Sequence, residues 1–179
     1  MNEKLLKRLS QIKIIVSDVD GILTDGTIAV SKNQEFKTFH VEDALATSLL
    51  RLADVPISFI SARASDATTV RLDELKIEHY FLGYINKISA LNKIVDIYNV
   101  DYKDILYIGD GYIDLPVMEK VGFSVSVPNA HLEVKEYADF ITQKSGGEGV
   151  LVEVVKYLLK SKGIYEHIFQ RMRKEIYDA

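Results

Sequence analysis

Six short apolar runs rich in β-branched residues recur along the chain, and stretches with helical periodicity separate them. This alternation is typical of a parallel sheet whose strands are joined by crossover helices. It predicts an α/β fold with a doubly wound, mainly parallel sheet. The predicted strands are Ile12–Val16, Pro56–Ile60, His79–Leu82, Ile105–Ile108, Phe123–Val127 and Phe140–Thr142.

Helices are predicted where apolar residues recur three or four positions apart. They are marked by Leu45, Leu49 and Leu52, by Ile88, Leu91, Val95 and Tyr98, and by Leu151, Val155 and Leu158. After Gly163 a stripe spaced by four predicts a last helix, which needs a partner surface on its own domain or on a neighbouring subunit. That stripe is Ile164, Ile168, Met172 and Ile176. We therefore divide the chain into a domain over residues 1–162 and a C-terminal helical extension over residues 163–179.

One insertion interrupts the alternation after the first predicted strand. Residues 27–30 and 35–40 are strand-like and flank S-K-N-Q, which predicts a β-hairpin that projects from the sheet. The sequence has neither a linker rich in Pro, Gly and Ser nor a longer insertion. We therefore expect a hairpin and no separate cap domain.

The composition limits the partners that we expect. With 179 residues, 47% of them apolar, the chain suits one globular domain. Its net charge of −4, with the basic residues scattered among acids, argues against a nucleic-acid-binding surface. The absence of cysteine excludes disulfides and thiolate metal sites. No secretory signal and no apolar run near the roughly 18 residues of a membrane span are present, so we expect a cytoplasmic protein with no membrane partner.

The stretch V-S-D-V-D-G-I-L-T-D-G places Asp18 directly after the first predicted strand and Asp20 two residues later. In doubly wound sheets, ligands bind beyond the carboxyl ends of the strands. A carboxylate there can attack a phosphoryl group and form an aspartyl-phosphate, provided that a divalent cation, most commonly Mg²⁺, offsets the repulsion. If the segment is extended, Asp20 lies on the same side and can act as general acid and base.

Later strand ends carry the other groups that this chemistry needs. Ser61 follows one strand, Lys87 opens a helix after the next, and Asp110 and Asp114 lie in G-D-G-Y-I-D after a third. We expect Ser61 and Lys87 to bind phosphate, and the two aspartates to complete the metal site. Singly, each has a simpler interpretation as a turn, a helix cap or a solvated lysine. Their order along successive strand ends favours the catalytic interpretation.

The order D-V-D-G, S-A-R, Lys87 and G-D-x-x-x-D resembles the haloacid dehalogenase-like phosphatase superfamily. The stretches D-V-D-G-I-L-T-D-G, F-H-V-E-D, Y-I-G-D-G-Y-I-D-L-P-V-M and S-G-G-E-G resemble, more narrowly, the 3-deoxy-D-manno-octulosonate 8-phosphate phosphatase family. This resemblance covers roughly residues 12 to 161.

The resemblance implies a Mg²⁺-dependent phosphatase of lipopolysaccharide biosynthesis that forms a homotetramer and shares its active sites between subunits. It implies that Asp18 is the nucleophile and a metal ligand, Asp20 the acid/base and a carbonyl ligand, and Asp110 the third protein ligand. Ser61 and Lys87 would hold the phosphate, and Asp114 would position Lys87 or the metal waters. The sequence departs from the family pattern at Ala44, Ala46, Ala62 and Gly111, so we expect an intact phosphatase core and an altered substrate pocket.

Several alternatives stay open at this point. The substrate could be a nine-carbon sugar acid phosphate, or the chain could be a non-catalytic metal-binding module for oligomerisation or regulation. A receiver-type phosphoacceptor domain fits poorly, because receivers keep their metal-binding acids near the first strand and their acceptor later. Arg63 and Arg71 are candidates for binding a substrate carboxylate, although a surface ion pair explains Arg71 equally well. Gly146, Gly147 and Gly149 form either a phosphate-binding loop or a plain connection to the last predicted helix of the domain.

Overall fold

The main sheet of the computed structural model, which describes residues 3–178, has six strands. They are β1 (Ile14–Ser17), β4 (Ile57–Ser61), β5 (Tyr80–Leu82), β6 (Ile105–Ile108), β7 (Phe123–Ser126) and β8 (Phe140–Ile141). Their order is β5-β4-β1-β6-β7-β8, and all neighbouring pairs are parallel. The predicted doubly wound α/β fold is therefore confirmed. Residues 1, 2 and 179, at the outer ends of the two predicted segments, lie outside the described residues.

Helices cover both faces of this sheet. They are α1 (Glu3–Ser10), α2 (Glu42–Leu52), α3 (Asp66–Glu74), α4 (Lys87–Tyr98), α5 (Leu115–Met118), α6 (Leu132–Glu136), α7 (Val150–Ser161) and α8 (Tyr165–Tyr177). Helices α2 and α7 supply much of one apolar core, and α4 and α5 contribute to the other. β1 alternates between the two cores, with Ile15 facing the first and Ile14 and Val16 the second. The central strands are thus buried on both faces, as their apolar sequences require.

The predicted hairpin is present but shorter than expected. Its strands are β2 (Ala29–Val30) and β3 (Glu35–Phe36), which pair antiparallel and form a separate two-stranded sheet. The second arm was predicted to reach residue 40, but its strand ends at Phe36. The next side chain, that of Lys37, is buried against the main domain and does not continue the hairpin. Between β1 and α2 the described chain carries this hairpin as its only regular element.

The C-terminal helix α8 packs against its own domain along part of its apolar stripe. Ile168 is buried in the first core, and Met172 packs against that core from the edge. Ile176 is 68% exposed. The division at residue 162 stays a prediction. No helix within residues 3–178 combines the length and apolar character that a membrane crossing requires.

Candidate active site

The site lies at the centre of the sheet, where β1 and β6 are neighbours. From β1 the sheet continues towards β4 on one side, and from β6 it continues towards β7 on the other. The carboxyl ends of β1 and β6 are therefore the topological switch point of the sheet. The amide of Asp18 donates to the carbonyl of Ile108 at 2.9 Å, so the two strand ends are fixed to each other. Asp18 and the loop that carries Asp110 therefore meet in one crevice, as the sequence predicts.

Lys87, the first residue of α4, places its ammonium between two of these acids. Its Nζ atom lies 2.7 Å from Oδ2 of Asp18 and 2.6 Å from Oδ1 of Asp114. The residue is only 2% exposed. Burial alone would lower the pKa of Lys87, but the charges of Asp18 and Asp114 raise it overall. The lysine is thus a buried cation fixed at the crevice.

Asp114 fixes the loop that follows β6. Its Oδ1 atom accepts hydrogen bonds from Lys87 and from the Tyr107 hydroxyl, and its Oδ2 atom accepts from the amides of Asp110 and Gly111 at 3.0 and 2.9 Å. Tyr107 was not predicted as a site residue. A tyrosine inside the aliphatic strand I-L-Y-I does indicate a buried hydroxyl that needs a partner. Burial is the main reason that the pKa of Tyr107 is raised, so its hydroxyl stays a donor.

Three carboxyl groups gather within reach of a single cation. Asp18, Asp110 and Asp114 each offer one oxygen, and these atoms all lie within 4.8 Å of one another. Burial, and then the charge of Asp114, raises the pKa of Asp18 to about 8 and that of Asp110 to about 6, and Lys87 opposes only part of this. Once all three are ionised, three carboxylates and one ammonium leave two negative charges, which suits a divalent cation that prefers oxygen ligands, such as Mg²⁺. Four donors already bind the oxygens of Asp114. The carboxylates of Asp18 and Asp110 therefore have more capacity left to bind a cation.

Asp20 lies beside this cluster in a conformation that differs from the prediction. The backbone is not extended as expected but enters a turn, in which the amides of Ile22 and Leu23 donate to the carbonyl of Val19. The Asp20 carboxylate instead pairs with Lys37, whose Nζ atom lies 2.6 Å from Oδ1. A carbonyl contact from Asp20 to a metal stays a prediction.

Two glycines allow the loops of the site to approach each other. Gly21 has φ +92°, and a Cβ atom there would lie 2.0 Å from Oδ2 of Asp110. A Cβ atom on Gly146 would lie 1.8 Å from the carbonyl oxygen of Gly21, and the Gly147 amide donates to the Ile22 carbonyl at 3.0 Å. The S-G-G-E-G loop, residues 145–149, thus packs against the backbone of the turn that carries Asp20.

Ser61 and Arg63 lie at the end of β4. The buried Ser61 hydroxyl is 3.5 Å from Oδ2 of Asp20 and accepts from the Arg63 amide at 3.1 Å. The Arg63 side chain is 48% exposed and lies 2.6 Å from Oε2 of Glu35 in the hairpin. Ser61 therefore borders the acid, and Arg63 lies on its hairpin side.

Arg71 has a different environment. Its guanidinium donates to Glu74 at 2.8 Å and to the His40 carbonyl at 3.0 Å, and it lies over the Phe39 ring. None of these partners is one of the predicted site residues. The ion-pair interpretation of Arg71 accounts for these contacts, and its role in substrate binding stays a prediction.

The departures from the family pattern leave the backbone unstrained. Ala44 and Ala46 lie in α2, where Ala46 is buried in the core. Non-glycine residues with positive φ within residues 3–178 are Asp54, Lys76 and Asn99, so Ala44, Ala46 and Ala62 adopt backbone conformations that alanine accepts. Gly111 has φ −105°, and a Cβ atom there would lie 3.6 Å from Asp114. An altered substrate pocket stays a prediction.

Comparisons with known proteins agree with this geometry. Residues 81–154 match the model of the haloacid dehalogenase-like hydrolase family. The chain is similar to the 3-deoxy-D-manno-octulosonate 8-phosphate phosphatase KdsC of Escherichia coli strain K12, with 34% identity over 160 residues, 89% of this chain and 85% of the relative.

Two solved structures of relatives contain metal ions. The fold is similar to the phosphatase of the same name from Moraxella catarrhalis in complex with a magnesium ion, a phosphate ion and a KDO molecule, with a TM-score of 0.91, 31% identity, and 96% and 99% of the two chains covered. It is also similar to the cobalt-bound phosphatase of Haemophilus influenzae, with a TM-score of 0.85, 34% identity, and 88% and 93% covered. The chain therefore belongs to the 3-deoxy-D-manno-octulosonate 8-phosphate phosphatase family of the haloacid dehalogenase-like hydrolases.

Proposed function

We propose that the protein is a Mg²⁺-dependent phosphomonoester hydrolase that acts on 3-deoxy-D-manno-octulosonate 8-phosphate. One observation carries this proposal: Lys87 bridges Asp18 and Asp114 at the switch point, with an Asp110 oxygen within 4.8 Å of theirs. This arrangement joins a nucleophile, a phosphate-binding cation and a metal-binding acid. The choice of substrate rests on the relatives, since the E. coli relative is named for this sugar acid phosphate.

In this proposal Asp18 attacks phosphorus and forms an aspartyl-phosphate, while Lys87 and Ser61 bind the phosphoryl oxygens. Asp20 protonates the departing alkoxide and then takes a proton from the water that hydrolyses the intermediate. Asp18 and Asp110 would hold the Mg²⁺, with the Asp20 carbonyl as a further ligand and Asp114 in support. When bound, Mg²⁺ supplies positive charge that favours the ionised Asp18 and draws the phosphate towards it.

For the sugar acid, we propose that Arg63 binds the carboxylate. It lies at the end of β4 with its side chain 48% exposed, and the Glu35 partner that holds it is on the hairpin. Arg71 would join it only after exchanging its Glu74 and His40 partners. A guanidinium suits this task, because its planar donors match a carboxylate in two places at once.

We further propose a cytoplasmic homotetramer whose hairpins help to enclose neighbouring active sites, with residues 1–162 as the catalytic domain and residues 163–179 as an extension. Two exposed apolar side chains on the hairpin support this, since Val30 and Phe36 are 72% and 60% exposed. Sedimentation of the purified protein tests the proposal, and a monomer at micromolar concentration would refute the shared site.

Phosphate release from a panel of sugar phosphates in the presence of Mg²⁺ tests the activity. The panel includes the eight-carbon and nine-carbon sugar acid phosphates, with Asp18→Asn as the control. We expect selective, Asp18-dependent turnover of the eight-carbon compound. Preference for the nine-carbon compound would correct the substrate, and Mg²⁺ binding without hydrolysis would favour a non-catalytic module.

A further inference from the structure

Lys37, just beyond the hairpin strand β3, has a side chain that is 0% exposed. Its Nζ atom donates to Oδ1 of Asp20 at 2.6 Å and to Oγ1 of Thr68 at 3.0 Å. A lysine at the edge of a short exposed hairpin would ordinarily extend into water. The burial of this one requires an explanation.

A buried ammonium is unfavourable unless a carboxylate and further hydrogen bonds compensate it. Asp20 is the carboxylate within hydrogen-bonding distance, because the other acid nearby, Glu35, lies 3.8 Å from Nζ. Thr68 lies in α3 and is itself fully buried, so it fixes the ammonium from the side of the main domain. The Lys37 side chain is therefore held in one place, directed at the proposed acid/base.

The backbone that carries Lys37 is fixed as well. Glu35, two residues earlier, accepts hydrogen bonds from the Ser65 hydroxyl at 2.5 Å and from the Arg63 guanidinium at 2.6 Å. These contacts join β3 to the loop after β4, the loop that follows Ser61. The hairpin thus cannot shift relative to this loop without breaking an ion pair and a hydrogen bond.

The Asp20 carboxylate is consequently held from two sides. Lys37 binds Oδ1, and the Ser61 hydroxyl lies 3.5 Å from Oδ2, a distance at which a hydrogen bond is weak. Oδ2 is therefore the oxygen that can exchange its partner, and it lies on the side of the phosphate-binding residue. This is the placement that a group transferring a proton to a phosphoester oxygen needs.

We propose that Lys37 is a positioning residue, which holds the Asp20 carboxyl group so that it faces the leaving-group oxygen; this inference rests on the proposed function. In the first step a carboxylate oxygen of Asp18 bonds to phosphorus, the phosphorus–alkoxide bond breaks, and the proton of Asp20 passes to the alkoxide. In the second step water attacks phosphorus, its proton passes to Asp20, and phosphate leaves Asp18. Lys37 holds the same carboxyl group for both proton transfers.

The test compares two leaving groups in Lys37→Met. An alkoxide must be protonated as it leaves, whereas the nitrophenolate of p-nitrophenyl phosphate leaves without a proton. General acid catalysis contributes about a hundredfold or more, so we expect kcat/KM for the sugar acid phosphate to fall by about that factor. For p-nitrophenyl phosphate we expect kcat/KM, which reports only the steps up to the release of nitrophenolate, to fall less than about threefold. An equal fall in kcat/KM for both substrates would overturn the proposal.

A double-variant cycle separates positioning from a purely structural role. In the Asp20→Asn background, Lys37→Met should cause no further loss of sugar phosphate turnover, because Lys37 acts through Asp20. Losses that multiply would contradict this. Lys103→Met is the matched control, since Lys103 is an exposed lysine paired with Asp101 and its loss should leave kcat unchanged.

Folding is checked by the melting temperature of each variant. If Lys37→Met does not fold, Lys37→Gln, which keeps a donor without the charge, takes its place in both experiments. Failure of both variants to fold would assign Lys37 to the fold and refute the proposal. If the wild-type protein releases no phosphate from any substrate, the proposed function has failed; if Asp20→Asn lowers activity and Lys37→Met does not, this inference alone has failed.

Discussion

Asp18 and Asp43 are both buried acids with a raised pKa, yet their surroundings differ. The pKa of Asp18 is raised to about 8 and that of Asp43 to about 7, and burial is the largest cause for each. Lys87 and the Val19 amide bind the Asp18 carboxylate, whereas the Asp43 oxygens, close to the Leu151 amide, form no hydrogen bond of ordinary length and angle among the described residues. A perturbed pKa alone therefore does not distinguish the proposed nucleophile from Asp43; the neighbouring cation, the carboxylates and the strand end do.

The largest difference between these two acids should appear in activity. We expect Asp18→Asn to lower phosphate release at least about a thousandfold, because the proposed nucleophile is lost. The matched Asp43→Asn variant removes an equally buried charge in α2 and should stay within about threefold of the wild type. Steady-state phosphate release with saturating Mg²⁺ measures both. Comparable losses in the two variants would show that Asp18 and Asp43 do not differ in their importance for activity.

The second difference concerns stability as a function of pH. The pKa of Asp43 rises from 3.8 to about 7 on folding, so the folded state holds the proton more tightly. Its contribution to stability is therefore complete below pH 3.8 and is lost as the pH rises through 7. The charges of Arg71 and Lys144 oppose only part of the effect of burial.

Asp43→Asn should therefore gain stability over the wild type as the pH rises. The gain should be on the order of 1.4 kcal/mol for each pH unit across this window. Denaturant unfolding at several pH values with saturating Mg²⁺ measures it, since bound Mg²⁺ suppresses the corresponding titration of Asp18. A pH-independent difference would show that Asp43 is ionised throughout.

Mg²⁺ binding should separate the two acids further, because the ion should act on Asp18 and not on Asp43. With a pKa of about 8, Asp18 is mostly protonated at pH 7 before the ion binds. Binding should then release about one proton for each Mg²⁺, since the ligand must be deprotonated. Calorimetry in buffers with different ionisation enthalpies counts these protons. We expect the release to fall sharply in Asp18→Asn and to persist in Asp43→Asn; equal release in all three proteins would refute this.

The smallest expected effect concerns Asp114, which accepts a hydrogen bond from the Lys87 ammonium that also binds Asp18. Tyr107→Phe removes one of the four donors around Asp114, which should lower the free energy of unfolding by about 1 kcal/mol and kcat by a few-fold. Tyr80→Phe is the control, because its hydroxyl also donates to a carboxylate, that of Asp73, but in an exposed position. The control should change stability by less than about 0.5 kcal/mol. Tyr80→Phe costing as much as Tyr107→Phe would contradict the role of burial.

The parts of the site that follow buried central strands could be predicted from the sequence. The strand Ile105–Ile108 was predicted with the correct bounds, because a central parallel strand is apolar throughout and a polar loop follows it. Asp18 and Asp110 follow such strands within two residues, and Lys87 begins the next helix, so topology alone brings them together.

Lys37 could not be predicted in the same way. Lys37 reaches Asp20 only because the hairpin folds back over the loop after β4, and no local pattern encodes this tertiary contact. The turn at Asp20 was missed for a related reason. Gly21 adopts positive φ there, and its lack of a Cβ admits Asp110, a residue far along the chain.

The glycine loop behind the aspartate turn has a consequence for the order in which the protein matures during synthesis. A nascent chain that ends at residue 140 already contains Asp18, Asp20, Lys87 and Asp110. It lacks Gly146 and Gly147, whose backbone rests on Gly21 and Ile22. Asp18 thus leaves the ribosome well before the backbone against which its turn packs. The turn therefore gains this support only after Gly146 and Gly147 have emerged.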